Sequence, residues 1–202
     1  MLLLVFGVFA LVNLIASGTE NEVLEWATKP VLMPLLTLWV WRNGRHKGIA
    51  AALLFSAAGD IALLNGDKEL WFIAGMVFFL GAHICYIVTF LKAGARVGLA
   101  AVGYAVILGA ALVWLWKPLG AMAIPMTGYG LALAAMATLA AGLRNWRVAL
   151  GGGLFLLSDL LIAVRVAEAA TIPGPPIWVM LTYLAAQFLI ATGWVRYRQP
   201  RD

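Results

Sequence analysis

Eight apolar stretches, separated only by short charged or turn-forming segments, occupy nearly all of this chain: about 2–17, 28–41, 48–64, 71–91, 97–116, 119–141, 148–166 and 176–197. A helix of roughly 20 apolar residues crosses a bilayer core about 30 Å thick, and in lipid its backbone groups satisfy one another. Several stretches are shorter than that, so tilt or local bilayer thinning is expected. Composition excludes the alternatives. Of 202 residues 64% are hydrophobic and only 23 are charged, 14 basic and 9 acidic, whereas a soluble surface needs roughly a quarter of positions charged. A water-soluble globular domain, a disordered chain and a secreted disulfide scaffold are ruled out. The sequence predicts an all-α, polytopic membrane helix bundle of about eight transmembrane helices. It forms a single integral membrane domain over 1–202, because nothing outside the stretches is long enough to fold alone.

Charge sets the orientation. The net charge of +5 does not point to nucleic acid in so apolar a chain, where basic residues belong to cytoplasmic loops. One set of loops holds Arg42, Arg45, Lys47, Lys92, Arg96, Arg144, Arg147, Arg196, Arg198 and Arg201. The opposite set holds Lys29, Lys68, Lys117 and Arg165 together with Glu20, Glu22, Glu25, Asp67, Glu69 and Glu168. The positive-inside rule then puts both termini in the cytoplasm, which an even number of spans allows. Residues 1–17 lack the basic lead of a secretory signal, although Ala16-Ser17-Gly18 resembles a cleavage site, so an uncleaved first helix is expected. The basic C-terminal tail reads as a contact for anionic lipid. Cys85 reads as a packed small side chain, with no disulfide, CxxC or zinc pattern.

The informative residues are those that cost energy in lipid. An Asp at the centre of a membrane helix costs about 2.5–3.5 kcal/mol on the insertion scale. Asp60 sits in LLFSAAGDIALL and Asp159 in GLFLLSDLLIAV, both in the outer half of helices running outward. Ser56 and Asp60 are four residues apart. So are Gly75, Phe79 and His83, with Tyr86 three further on; so are Phe155 and Asp159, beside Ser158; and so are Tyr183 and Gln187. Four helices therefore each carry one polar face, which must turn into the bundle or a wet cavity. At 1.5 Å per residue, Asp60, Asp159, Tyr183 and Gln187 are expected at similar depth with His83 nearer the midplane. A shared pocket toward the outer leaflet is predicted. Lys29 is expected at the outer start of the second helix, just before Pro30. The plain readings stand beside these: a structural ion pair for either Asp, a satisfied core histidine, helix-to-helix hydrogen bonds for Tyr86, Tyr183 and Gln187, and a snorkelling lysine. Most of the Trp residues fall near helix ends, as an interfacial belt.

Other chemistries lack their residues. A three-histidine metal site needs more than the two histidines present, and His46 falls in a cytoplasmic loop. There is no GxSxG elbow and no P-loop; Gly151-Gly152-Gly153 reads as close helix packing. No spacing supports a Ser158–His83–Asp60 triad.

Taken in order, five motifs resemble the YhhN-like lysoplasmalogenase family of membrane proteins. They are Lys29-Pro30; Gly59-Asp60-x-x-Leu63; Phe72-x-x-Gly75-x-x-x-Phe79-x-x-x-His83-x-x-Tyr86; Leu154-Phe155-x-x-Ser158-Asp159-x-x-Ile162-Ala163; and Tyr183-x-x-x-Gln187-x-Leu189-Ile190. The resemblance runs from the second helix to the eighth; the first, fifth and sixth carry nothing diagnostic. It implies hydrolysis of the vinyl-ether bond of a lysophospholipid substrate (alkenyl glycerophosphocholine or glycerophosphoethanolamine) to a fatty aldehyde and a glycerophospho-alcohol. It also implies a multi-pass protein of the bacterial inner membrane. The family's motif aspartates correspond to Asp60 and Asp159, and Lys29, His83, Tyr86, Tyr183 and Gln187 match its other polar positions.

Residue chemistry fits that reaction. Protonating a vinyl-ether carbon creates an oxocarbenium ion that water captures, which needs one neutral acid and one anionic group near the developing cation. Two carboxylates in a secluded pocket supply that division, by the logic glycosidases use. Asp60 and Asp159 are the expected acid/base pair, with neither assigned to a role. His83 and Tyr86 are expected to orient water or a carboxylate, Lys29 and Arg165 to hold the phosphate, and Ser158, Tyr183 and Gln187 to line the substrate site. An apolar groove between helices would take the alkenyl chain among membrane lipid. No metal or cofactor is required, and the sequence leaves oligomeric state open. Two other readings use the same residues: a proton-coupled transporter, and a non-catalytic scaffold.

Overall fold

The computed structural model describes residues 1–170 and 177–198. Its described residues form eight α-helices and no strand: α1 (Leu2–Gly18), α2 (Glu22–Arg42), α3 (Lys47–Leu63), α4 (Glu69–Lys92), α5 (Ala100–Leu119), α6 (Ala123–Gly142), α7 (Trp146–Val166) and α8 (Ile177–Arg198). Four apolar segments are long enough to cross a membrane: Glu69–Lys92, Ala100–Gly142, Trp146–Val166 and Ile177–Arg198. The segment Ala100–Gly142 is a hairpin and not one long helix. A short 3₁₀ turn at Gly120–Met122 breaks it where Gly120 takes φ +53°, and α5 folds back on α6. Pro118 just before that turn favours a stop there.

One boundary departs from expectation. The second helix starts at Glu22, not near 28, because Asn21 caps it by accepting from the Leu24 N–H at 3.1 Å. Glu22 and Glu25 then sit in the first turn, where acidic side chains oppose the positive end of the helix dipole. Charge hides this turn from a hydropathy reading. Lys29 is consequently two turns into the helix, not at its start.

α2, α3, α4, α6, α7 and α8 enclose the core, and α5 stands at the periphery with only Leu115 and Leu119 buried. Glycine permits the tightest contacts. A Cβ on Gly151 would stand 2.7 Å from Ile190 Cγ1 and 2.9 Å from the Ala186 carbonyl oxygen; one on Gly152 would stand 2.8 Å from the Ala140 Cβ. The glycine run thus lets α7 lie against α8 on one side and α6 on the other.

Hydrogen bonds tie the connections together at each end. At one end Asn145, the cap of α7, donates to the Gly193 carbonyl at 2.9 Å, and the Arg96 N–H meets the Gly142 carbonyl. His46 packs edge-on against Trp194, over which Arg198 also lies. The basic α2–α3, α4–α5 and α6–α7 connections and the end of α8 therefore gather together. Residue 176, at the start of the eighth apolar stretch, and the tail beyond Arg198, including Arg201, lie outside the described residues. At the opposite end Asn13 of α1 donates to Thr28 of α2 at 2.7 Å, and Ser17 donates to Glu25 at 2.6 Å.

Candidate active site

A cleft of about 680 Å³ opens at the end of the bundle that carries the α1–α2 and α3–α4 turns. Asp60 from α3 and Asp159 from α7 both line it. Each carboxylate is held the same way. Tyr183 of α8 donates its hydroxyl to Asp60 Oδ2 at 2.7 Å, and Tyr129 of α6 donates to Asp159 Oδ2. Neither Oδ1 takes a side-chain hydrogen bond among the described residues. One oxygen of each group is thereby fixed and the other left for a ligand or water.

Asp159 belongs to a larger array. His83 Nε2 lies 3.0 Å from Tyr129 Oη and 3.8 Å from Asp159 Oδ2. Because Tyr129 spends its proton on Asp159, His83 must donate from Nε2 to the phenol oxygen. His83 is fully buried and its Nδ1 has no partner. The ring therefore reaches the cleft only through Tyr129 and Asp159. Beneath the carboxylates an aromatic layer closes the floor: Phe79 packs edge-on against Phe155 and Tyr183, with centroids 6.2 and 5.8 Å away, and Phe155 stands edge-on to His83 at 4.9 Å.

Below this floor lies a second polar layer, sealed from the cleft. Tyr86 donates to Gln187 Oε1 at 2.6 Å, and Gln187 Nε2 donates to Ser56 Oγ at 2.9 Å. All three side chains are fully buried. Asp60–Tyr183 and Ser56–Gln187 are thus two rungs, one helical turn apart, between α3 and α8. Gln187 sits a turn deeper than Asp60, not level with it, because the i, i+4 step that puts it on the face of Tyr183 also moves it along the axis. Neither Tyr86 nor Gln187 lines the cleft. Ser158 does, but its hydroxyl donates to the Val179 carbonyl at 3.0 Å, which ties α7 to α8.

The rim is charged. Lys29 and Arg165 line it with Glu22, Glu25 and Asp67. Lys29 Nζ is 2.8 Å from Glu25 Oε2, one turn back on the same helix, so its charge is matched within the protein. Arg165 lies six residues beyond Asp159 on α7, with its side chain exposed at the mouth. A smaller apolar groove of about 100 Å³ joins the cleft from the side; Leu63, Phe72, Phe79, Asp159 and Ile162 line both spaces.

Tyr129 and Glu25 escape the sequence reading. Glu25 looks like loop charge until α2 is seen to begin at Glu22. Tyr129 lies in a stretch read as carrying nothing diagnostic, yet a phenol inside an apolar span carries the same energetic signal as Asp60 and Asp159.

An all-helical, multi-pass membrane protein whose bundle turns two carboxylates into one cleft is the class that fold and site define. The chain belongs to the YhhN family, which it matches over residues 24–194. It is 33% identical over 168 residues to a lysoplasmalogenase of Mycobacterium bovis (strain ATCC BAA-935 / AF2122/97), covering 78% of this chain and 64% of that protein. It is 31% identical over 191 residues to lysoplasmalogenase TMEM86A of Bos taurus, covering 83% and 78% of the two chains. To human lysoplasmalogenase TMEM86B it is 32% identical over 180 residues, covering 85% and 75%. The chain spans about 64% of the length of the mycobacterial relatives. No solved structure matches it.

Proposed function

We propose that this protein hydrolyses the vinyl-ether bond of lysoplasmalogens, giving a fatty aldehyde and a glycerophospho-alcohol. The observation that carries this reading is that Asp60 and Asp159, 99 positions apart in the sequence, open on one cleft. The relatives named lysoplasmalogenase agree with it.

The chemistry needs two carboxyl groups in opposite protonation states. One donates a proton to the vinyl carbon on the chain side, and the electron pair of the double bond forms the new C–H bond. The ether oxygen shares the resulting positive charge as an oxocarbenium ion, beside the carboxylate of the second Asp. A water adds to the cationic carbon and gives its proton to that carboxylate. The hemiacetal then collapses: one Asp takes the hydroxyl proton, the other protonates the departing glycerol oxygen, and both return to their starting states. Acid–base help of this kind is worth about 10²–10⁴-fold, so a preorganised carboxylate charge beside the developing cation must supply much of the remainder. Tyr129 and Tyr183 hold the two carboxylates in place for this, and His83 positions Tyr129. Arg165, together with the Lys29–Glu25 pair, receives the phosphate at the mouth. Tyr86, Gln187 and Ser158 hold helices in register. The scheme uses protein carboxylates and one water, with no metal ion.

All eight helices cross the membrane in this reading, as one domain of the plasma membrane. The basic end with both termini faces the cytoplasm and the cleft faces the outer leaflet. The test is aldehyde release by purified protein in detergent, from choline and ethanolamine lysoplasmalogens. Release without any gradient supports a hydrolase. Silence on both lipids, with proton-linked uptake only in sealed vesicles, replaces it with a transporter.

A further inference from the structure

Beyond the carboxylates, the side groove between α4 and α5 has a shape and lining that call for a ligand. Apart from Asp159 and Tyr129 its walls are apolar: Met76 and Phe79 of α4, Ile107, Ala111 and Leu112 of α5, and Leu133 of α6 among them. It meets the cleft at Asp159 and is lined along α5 by residues from Ile107 to Leu119. We infer that this groove takes the single hydrocarbon chain of the lipid, admits it sideways from the bilayer, and so stations the scissile bond beside Asp159.

Size argues for entry from the side. An apolar cavity of about 150 Å³ holds a benzene ring, so a space of about 100 Å³ accommodates only the first carbons of a long chain. The rest must leave the protein. α4 packs on α3 and α6, and α5 on α6 and α7, but α4 and α5 share no extensive contact among the described residues. Between them lies a seam, with Ile107 of α5 on its edge and exposed. A chain leaving through it passes into lipid, at no cost in hydration. Charge excludes the opposite placement: the headgroup end of the ligand has Lys29, Arg165 and Glu22 to meet in the cleft, while the groove offers no ion pair. Commitment to one chain follows from the volume of about 100 Å³, and α5 and α6 lie close together beside it: a Cβ on Gly130 would stand 2.9 Å from Leu108 Cδ1.

The inference rests on the lysoplasmalogenase reading for the identity of the bond, but not for the identity of the chain, and two arms separate them. In the first, a saturated long-chain alkyl-ether lysophosphocholine carrying a diazirine within the first few carbons of the chain, beside the ether, is photolysed with the purified protein, and labelled peptides are mapped. Labelling of the α4 and α5 faces of the groove, competed by unlabelled lipid, is expected. Labelling confined to α1–α3, or none that competes, overturns the chain site. In the second, Ala111→Phe fills the groove without touching Asp159, and Ala111→Leu serves if the larger side chain prevents folding. The ratio of kcat/KM for a long-chain over a butenyl lysoplasmalogen is expected to fall about tenfold, the loss of roughly two buried methylenes. An unchanged ratio overturns the proposal. Groove labelling in a protein that releases no aldehyde keeps the chain site and sinks the activity instead.

Discussion

Replacing Tyr129 with Phe deletes one oxygen that serves two partners. Asp159 Oδ2 loses its only phenol donor, and His83 Nε2, 3.0 Å away and fully buried, loses its acceptor. A hydrogen bond to a charged group contributes about 1.5–3 kcal/mol, and a buried donor left unpaired costs about 1–3 kcal/mol. The first term acts when Asp159 is charged, the second at all times. We therefore expect a loss of about 2 kcal/mol in transition-state stabilisation, about thirtyfold in kcat/KM, with a lowered Tm. The assay is aldehyde release in detergent micelles, read continuously through an aldehyde dehydrogenase, beside thermal unfolding of the same preparations. Two companions sharpen it. Tyr183→Phe removes the donor to Asp60 without stranding a histidine, so its rate falls more than its stability. Tyr86→Phe strands Gln187 Oε1 in the sealed lower layer, so its stability falls while kcat/KM stays within about threefold. A Tyr129→Phe enzyme with wild-type kcat/KM refutes the role given to the His83–Tyr129–Asp159 array.

Further outcomes follow from other parts of the bundle. Arg165→Ala at the mouth raises KM by about tenfold and leaves kcat little changed, as expected for uniform binding of a phosphate; steady-state kinetics check this. Gly151→Ala lowers stability by about 1–3 kcal/mol, because the added methyl meets the Ala186 carbonyl oxygen at 2.9 Å and backbone cannot step aside. Gly109→Ala, with nothing within 4 Å, is neutral or stabilising, and Tm in one detergent compares the two. His46, beside the basic end of the bundle, has its imidazole pushed below the usual value by burial, opposed by the hydrogen bond its ring donates to the Asn43 backbone carbonyl and helped by Arg198. The folded protein therefore disfavours the charged ring. The stability this gives is present above the ordinary histidine value and is lost as pH falls through the lowered one. The fall in Tm on acidification through that range is smaller in His46→Gln.

The parts of the site that cost energy in lipid were legible in the sequence. Asp60 and Asp159 stand out in apolar runs, and helical spacing correctly groups Asp60 with Ser56 and Tyr183 with Gln187. Spacing gives the face of a helix but not the partner across it, which is why the two rungs between α3 and α8, and the depth of Gln187, emerge only in three dimensions. Hydropathy truncates α2 because its first turn is charged, and with that turn goes the Glu25–Lys29 pair. Tyr129 escaped for a different reason: one phenol barely changes the hydropathy of α6, although its hydroxyl needs a partner as surely as any carboxylate. The groove between α4 and α5 has no signature in the sequence, since residues that line it and residues that face lipid are equally apolar.

Carboxylate chemistry in one shared cleft is tested most directly by kcat for aldehyde release in Asp60→Asn and Asp159→Asn, each with a wild-type Tm. Both should fall by about 10²–10⁴-fold. A folded Asn variant at either position that turns over within about threefold of the wild type contradicts it.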